Sequence, residues 1–142
     1  MSILKRCLRN EKGFTMIEMM VVLIIIAVLI GAGVKFYIGY VDKAKITKAK
    51  GDITTMQAAL DSYYAENNAY PAGGDLSKAG LSTDIISTDG AKVYKYQVSN
   101  DNSSYVVSTS KTVDGTNYVY GKGENGKSEA PTTDKTVPSP GL

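Results

Sequence analysis

Glu18 is the residue of this chain whose chemistry most needs explaining: it is the only ionisable side chain between Phe14 and Val34. An acid at the centre of an apolar helix costs roughly 2.5–3.5 kcal/mol on insertion scales, so a counter-charge or a function has to be sought for it. The plainer alternative is that Glu18 lies within reach of the cytoplasmic interface and is merely tolerated there. Just upstream, Gly13 and Phe14 form a junction suited to proteolysis. A secretory signal is cut after its apolar run. Here the junction precedes the run, so cutting would remove the charges and keep the apolar segment. Glycine before the cut suits an enzyme that must approach the backbone closely, because no Cβ intervenes.

The element that must position these residues is a helix. Residues 14–35 are long enough to cross a bilayer core of ~30 Å at ~1.5 Å per residue. The segment ahead, 1–13, carries Lys5, Arg6, Arg9 and Lys12 against Glu11 alone. That bias keeps the leader in the cytoplasm and sends the remainder outward, leaving a single-pass protein with its C-terminus outside. Lys35 follows the span and can snorkel to the outer interface.

With Lys12, Gly13, Phe14, Thr15, Ile17 and Glu18 in register ahead of the apolar run, the segment resembles the prepilin signature. That signature belongs to type IV pilins and to the pseudopilins of type II secretion and competence systems. The resemblance implies that a prepilin peptidase cuts after Gly13 and methylates the new Phe14 amine. It also implies that Glu18 pairs with the amino terminus of a neighbouring subunit in a helical homopolymer. An assembly platform protein, an ATPase and membrane lipid are the further partners it implies; no nucleic acid is required. In many members a proline stands where this chain has Lys35. That loosening of the helix is missing here, and Gly31, Gly33 and Gly39 would have to supply it.

Composition excludes much else. The leader takes four basic and one acidic side chain from totals of 16 and 14, leaving 12 against 13. Net basic charge is therefore no argument for nucleic-acid binding. The one cysteine, Cys7, lies in the leader, and histidine is absent. The commonest general base and metal ligand is thus missing. Serines and aspartates abound without a base to activate a nucleophile, so the chain is read as a non-enzyme.

Downstream, Ile46, Ala49, Ile53, Met56, Leu60 and Tyr63 recur at 3–4 spacing and form an apolar stripe. Lys43, Lys48, Lys50, Asp52, Asp61 and Glu66 are assigned to the opposite side. Together with the span this predicts a nearly continuous helix of about 54 residues, ~80 Å long. Asn67-Asn68 and Tyr70-Pro71 stop it, an ending that again resembles pilins. A loop is expected over 72–91, anchored by Leu76, Leu81, Ile85 and Ile86. Three strands follow within 92–121: Lys92–Val98, Ser104–Ser110 and Asn117–Gly121. Their expected inward faces carry Tyr94, Tyr96 and Val98, then Tyr105, Val107 and Thr109, then Tyr118 and Tyr120.

The expected fold is therefore α+β and pilin-like: a long N-terminal helix packed on a small antiparallel three-stranded sheet. Residues 36–128 would form an extracytoplasmic domain, with a flexible tail over 129–142. No cofactor is implied, although Asp101 and Asp114, with Asn102 and Asn117, sit in turns and offer oxygens that suit calcium. Their spacing is not diagnostic of a calcium site, and ordinary turn formation is the favoured reading. Lys43, Lys45, Lys48 and Lys50 form a basic cluster that could touch headgroups or DNA, although a solvated helix face balanced by Asp42 and Asp52 is the favoured reading. The functions that fit are a type IV pilus-like structural subunit, or a major pseudopilin of a secretion or competence system. A different class also fits, a monomeric membrane-anchored binding domain, and it has no use for Glu18.

Overall fold

The computed structural model describes residues 13–141. The expectations placed on residues 1–12, including Cys7 and the basic leader, lie outside the described residues. The chain is α+β and divides into two compact units after Gly39. One helix, α1 (Met16–Asn67), contributes to both and runs 52 residues without interruption at Gly31, Gly33, Gly39 or Gly51. In the first unit every side chain from Phe14 to Gly39 is exposed. This helix is long and apolar enough to cross a membrane. It stops as the sequence predicts: Asn68 turns left-handed at φ 53° and its N–H donates to Tyr64 O at 2.7 Å.

The second unit packs the C-terminal half of α1 on a six-stranded sheet, not the three-stranded one expected. Its strands are β1 (Ile86–Ser87), β2 (Tyr94–Val98), β3 (Ser104–Thr109), β4 (Tyr118–Glu124), β5 (Lys127–Ser128) and β6 (Thr132–Asp134). Strand β1 pairs parallel to β2, and the other neighbours pair antiparallel in the order β1-β2-β3-β4-β5, with β6 also on β4. The three additions are short. Strand β1 comes from the expected loop, which also holds a 3₁₀ turn, Leu76–Ala79. Asn125 and Gly126, at φ 49° and 79°, form the tight reversal between β4 and β5. The expected flexible tail contributes β6, with Val119 opposite Thr133. It joins through backbone pairing along the open edge of β4 and needs no apolar side chain to do so.

The core sits between α1 and the sheet. Ala49, Ile53, Met56 and Leu60 are buried as the stripe predicts, and Ile46 packs at the margin. Tyr63 does not complete the stripe. Tyr64 packs on the core instead, and Gln57 is buried beside it. Leu76, Leu81 and Ile86 anchor the loop, whereas Ile85 is 44% exposed.

Strand β4 presents the opposite face from the one expected. Val119, Gly121 and Gly123 point inward, while Tyr118 and Tyr120 are only half-buried. The reason is proximity. A Cβ at Gly121 would lie 2.7 Å from Gln57 Nε2 and 2.8 Å from Ile53 Cγ2; one at Gly123 would lie 2.8 Å from Tyr105 Cζ. The two glycines let helix and sheet close on each other. Gln57 then donates to Glu129 O at 2.9 Å and Lys122 O at 3.2 Å.

Hydroxyls and carboxylates add directional ties. Asp52 and Asp61, expected to face solvent, accept from Tyr94 Oη at 2.6 Å and Tyr70 Oη at 3.2 Å. Tyr96 Oη donates to Pro71 O at 2.8 Å, and Tyr105 Oη shares a hydrogen with Ser128 Oγ at 2.6 Å. The rings of Tyr64, Tyr70 and Tyr105 pack in sequence, with centroids 4.7 and 4.6 Å apart. Burial pushes the Tyr70 phenol up to about 12 and raises Tyr94, Tyr96 and Tyr105 likewise.

Two substitutions separate this packing from the simpler stripe. Gly121→Ala should cost about 1–3 kcal/mol by overpacking against Ile53 and Gln57, and Leu60→Ala about 2–5 kcal/mol by cavity formation. Tyr63→Ala should stay within about 0.5 kcal/mol. Chemical denaturation of the full chain in detergent micelles measures all three; a Tyr63→Ala cost as large as that of Leu60→Ala would contradict the packing.

Candidate functional site

The N-terminal site is built by the first turn of α1. The sequence reading begins the helix near Phe14, but it begins at Met16 because Thr15 is spent as its cap. Thr15 Oγ1 accepts from Glu18 N at 3.3 Å, while Glu18 Oε2 accepts from Thr15 N at 2.7 Å and Thr15 Oγ1 at 2.9 Å. This is a reciprocal capping box, in which one side chain at each end covers an orphan donor of the other. The acid also stands at the helix N-terminus, where the backbone dipole favours negative charge. The spacing Thr15-x-x-Glu18 announces the box, a local role beside the two read from the sequence, pairing between subunits and tolerance near the interface.

The box leaves part of the carboxylate unused. Oε1 of Glu18 accepts no hydrogen bond among the described residues. Phe14 is 80% exposed, and nothing lies within 4 Å of where a Gly13 Cβ would be. The Gly13–Phe14 peptide is open to approach, with Phe14 four residues ahead of a carboxylate tied to Thr15. Such an arrangement can present a backbone bond for cleavage and offer one carboxylate oxygen to a cation.

The other candidate residues serve turns. Asp101 Oδ1 accepts from Ser99 Oγ at 2.6 Å, Ser103 Oγ at 2.8 Å and Ser103 N at 3.1 Å. Asp114 Oδ1 accepts from Asn117 N at 2.6 Å and Thr116 N at 2.9 Å, and its Oδ2 accepts from Asn117 Nδ2 at 2.7 Å. These donors hold both carboxyls well below the usual range, at about 2. The structure does not bring the two aspartates together: among the described residues no three acidic, histidine or cysteine side chains are grouped for a metal. In the basic cluster, Lys45 pairs with Asp42 at 3.2 Å and Lys43 lies 5.9 Å from the Tyr40 ring centre.

Comparison with known proteins divides the chain a few residues before the boundary between its two units. A family model of the prokaryotic N-terminal methylation motif matches residues 8–34, and so takes in Gly13, Phe14 and Glu18. A second, described as type IV minor pilin ComP, DNA uptake sequence receptor, matches residues 36–122. This chain belongs to the type IV pilin family. Members of that family are structural subunits. Individual relatives carry the type II secretion system core protein G name: one from Pseudomonas aeruginosa is 47% identical over 45% of this chain and 45% of its own length. Another from Escherichia coli K12 is 41% identical over 46% of each chain, and one from Aeromonas hydrophila is 41% identical over 44% of each. The chain thus spans under half the length of these curated relatives. No solved structure matches it significantly. In this family setting the apolar half of α1 is a membrane anchor.

The turn carboxylates make the second unit sensitive to acid in a defined direction. A carboxyl depressed to about 2 in the folded chain stabilises fully above the unfolded value of about 3.9 and loses that contribution as pH falls through 2. The stability difference between the wild type and the Asp101→Asn/Asp114→Asn variant should be constant from pH 5 to 7 and shrink between about pH 4 and 2. Urea unfolding at stepped pH measures it. A difference unchanged at pH 2 would show that the charges contribute nothing.

Proposed function

We propose that the chain is a structural subunit of a type IV pilus-like filament. It is made as a membrane-inserted precursor, cut between Gly13 and Phe14, methylated on the Phe14 amine and polymerised from the cytoplasmic membrane. The observation that carries this reading is the position of Glu18: an acid in register with the junction, on an otherwise apolar helix, with Oε1 left unused by its own cap. Near the membrane surface water can solvate that oxygen. Among the packed helices of a filament it cannot, and an ionised carboxylate then needs a counter-charge. No Lys or Arg lies between Phe14 and Val34. Cleavage creates the missing cation, the Phe14 amine, and a neighbouring subunit presents it. The basic leader supports an orientation with the second unit outside the cytoplasm. The peptidase and methyltransferase, an assembly platform and an ATPase are the partners this cycle requires.

A major pseudopilin of a type II secretion system is the second reading, and the core protein G relatives favour it. The match of residues 36–122 to a DNA uptake receptor model favours a pilus or competence filament. Both readings use the same Glu18 chemistry and differ in what the second unit meets.

Two outcomes follow. Intact mass of protein from native membranes should correspond to a chain starting at methylated Phe14; a mass retaining residues 1–13 with the peptidase present would contradict the processing step. Glu18→Gln keeps size and hydrogen bonding but removes the charge. That variant should insert and be cut normally yet give few or no filaments in sheared fractions. Wild-type yield would instead favour a monomeric anchored domain.

A further inference from the structure

The second unit has an open groove of about 1080 Å³ between α1, the loop before β2 and the end of β3. Its floor is apolar, made by Met56, Leu81, Ile85, Val93 and Val113. Ile85 and Val93 remain 44% and 61% exposed in spite of their size. Around the rim stand four exposed lysines, Lys45, Lys48, Lys92 and Lys111, against Asp52 and Asp84. Asp52 is already engaged by the Tyr94 hydroxyl and Lys45 by Asp42. Among the described residues, Lys48, Lys92 and Lys111 have no carboxylate within salt-bridge distance. Ser110 Oγ, which also lines the groove, is buried without a hydrogen-bond partner.

We infer that this groove is a docking site for an acidic peptide segment of a partner protein, with carboxylates facing the lysines and apolar side chains on the floor. Charge complementarity selects the occupant: unpaired cations at the rim attract an acidic chain and fix its register. The mostly apolar lining, with few convergent polar groups, suits a ligand that is itself partly apolar. A nucleic acid fits less well. The groove has no arginine and no exposed aromatic ring on which a base could stack, and Asp52 and Asp84 would oppose its phosphates. The site lies wholly within the second unit and stands independently of the filament role of Glu18.

The test is a titration of the isotope-labelled full chain in detergent micelles with a short peptide alternating glutamate and leucine. Saturable shifts should be confined to groove residues such as Leu81, Val93 and Ser110. Lys48→Gln/Lys92→Gln/Lys111→Gln should weaken binding about tenfold or more, as should glutamine in place of each peptide glutamate. The three lysines are exposed, so the variant's spectrum outside the groove should match the wild type. No saturable shift up to about 1 mM peptide, equal binding by the triple variant, or tighter occupation of the groove by a single-stranded oligonucleotide would each overturn the proposal.

Discussion

A charge that cannot be abandoned in hydrocarbon organises the N-terminal half of this protein. Glu18 shares its helix with apolar neighbours throughout the span, and an isolated carboxylate there costs several kcal/mol. The structure reduces that cost locally: Thr15 donates twice to Oε2, and the helix N-terminus adds a favourable dipole. The cap covers only one of the two oxygens. In the proposed cycle the uncovered oxygen ties together three otherwise separate features: a junction ahead of the apolar run, an amine freed at Phe14 and a span without basic residues. Thr15 holds the acid in place within one chain, and in the proposed cycle its pairing partner comes from another chain.

The second unit shows a different balance. Its core is thin, so tyrosines serve as both apolar mass and hydrogen-bonding groups, with Tyr70, Tyr94, Tyr96 and Tyr105 each buried through the ring and satisfied at the hydroxyl. Gly121 and Gly123 are the complement of those rings. They remove bulk from β4 where Ile53, Gln57 and Tyr105 press against it. Close approach then lets Gln57 reach the backbone on both sides of the β4–β5 reversal, which fastens α1 to the sheet edge at the most crowded point of the unit.

Features with strong local signals were readable in the sequence. The apolar span, the Ile53–Leu60 stripe, the Asn68 stop and strands β2 and β3 all announce themselves through periodicity or turn chemistry. The face of β4 was not readable from alternation, because Tyr118 and Tyr120 look like the inward set and glycines give no hydrophobic signal. Only contact with the helix shows that Gly121 and Gly123 face the core. Strands β1 and β6 are set by pairing with neighbours distant in sequence, and two or three residues leave no period to detect. Tyr64 displaced Tyr63 because a 3–4 alternation admits either residue at the next step. Two further features carry a local sequence signal: the Asn125-Gly126 turn and the Thr15-x-x-Glu18 box.

The central claim is an ion pair between subunits, and a distance across the subunit boundary tests it most directly. Filaments would be assembled from an equal mixture of chains labelled with ¹⁵N at the Phe14 amine and chains labelled with ¹³C at the Glu18 carboxyl, then measured by solid-state NMR. The account predicts a dipolar contact corresponding to about 4 Å or less, the range of a salt bridge, seen only in mixed filaments and not in mixed monomers in micelles. Filaments that form normally without that contact would contradict it.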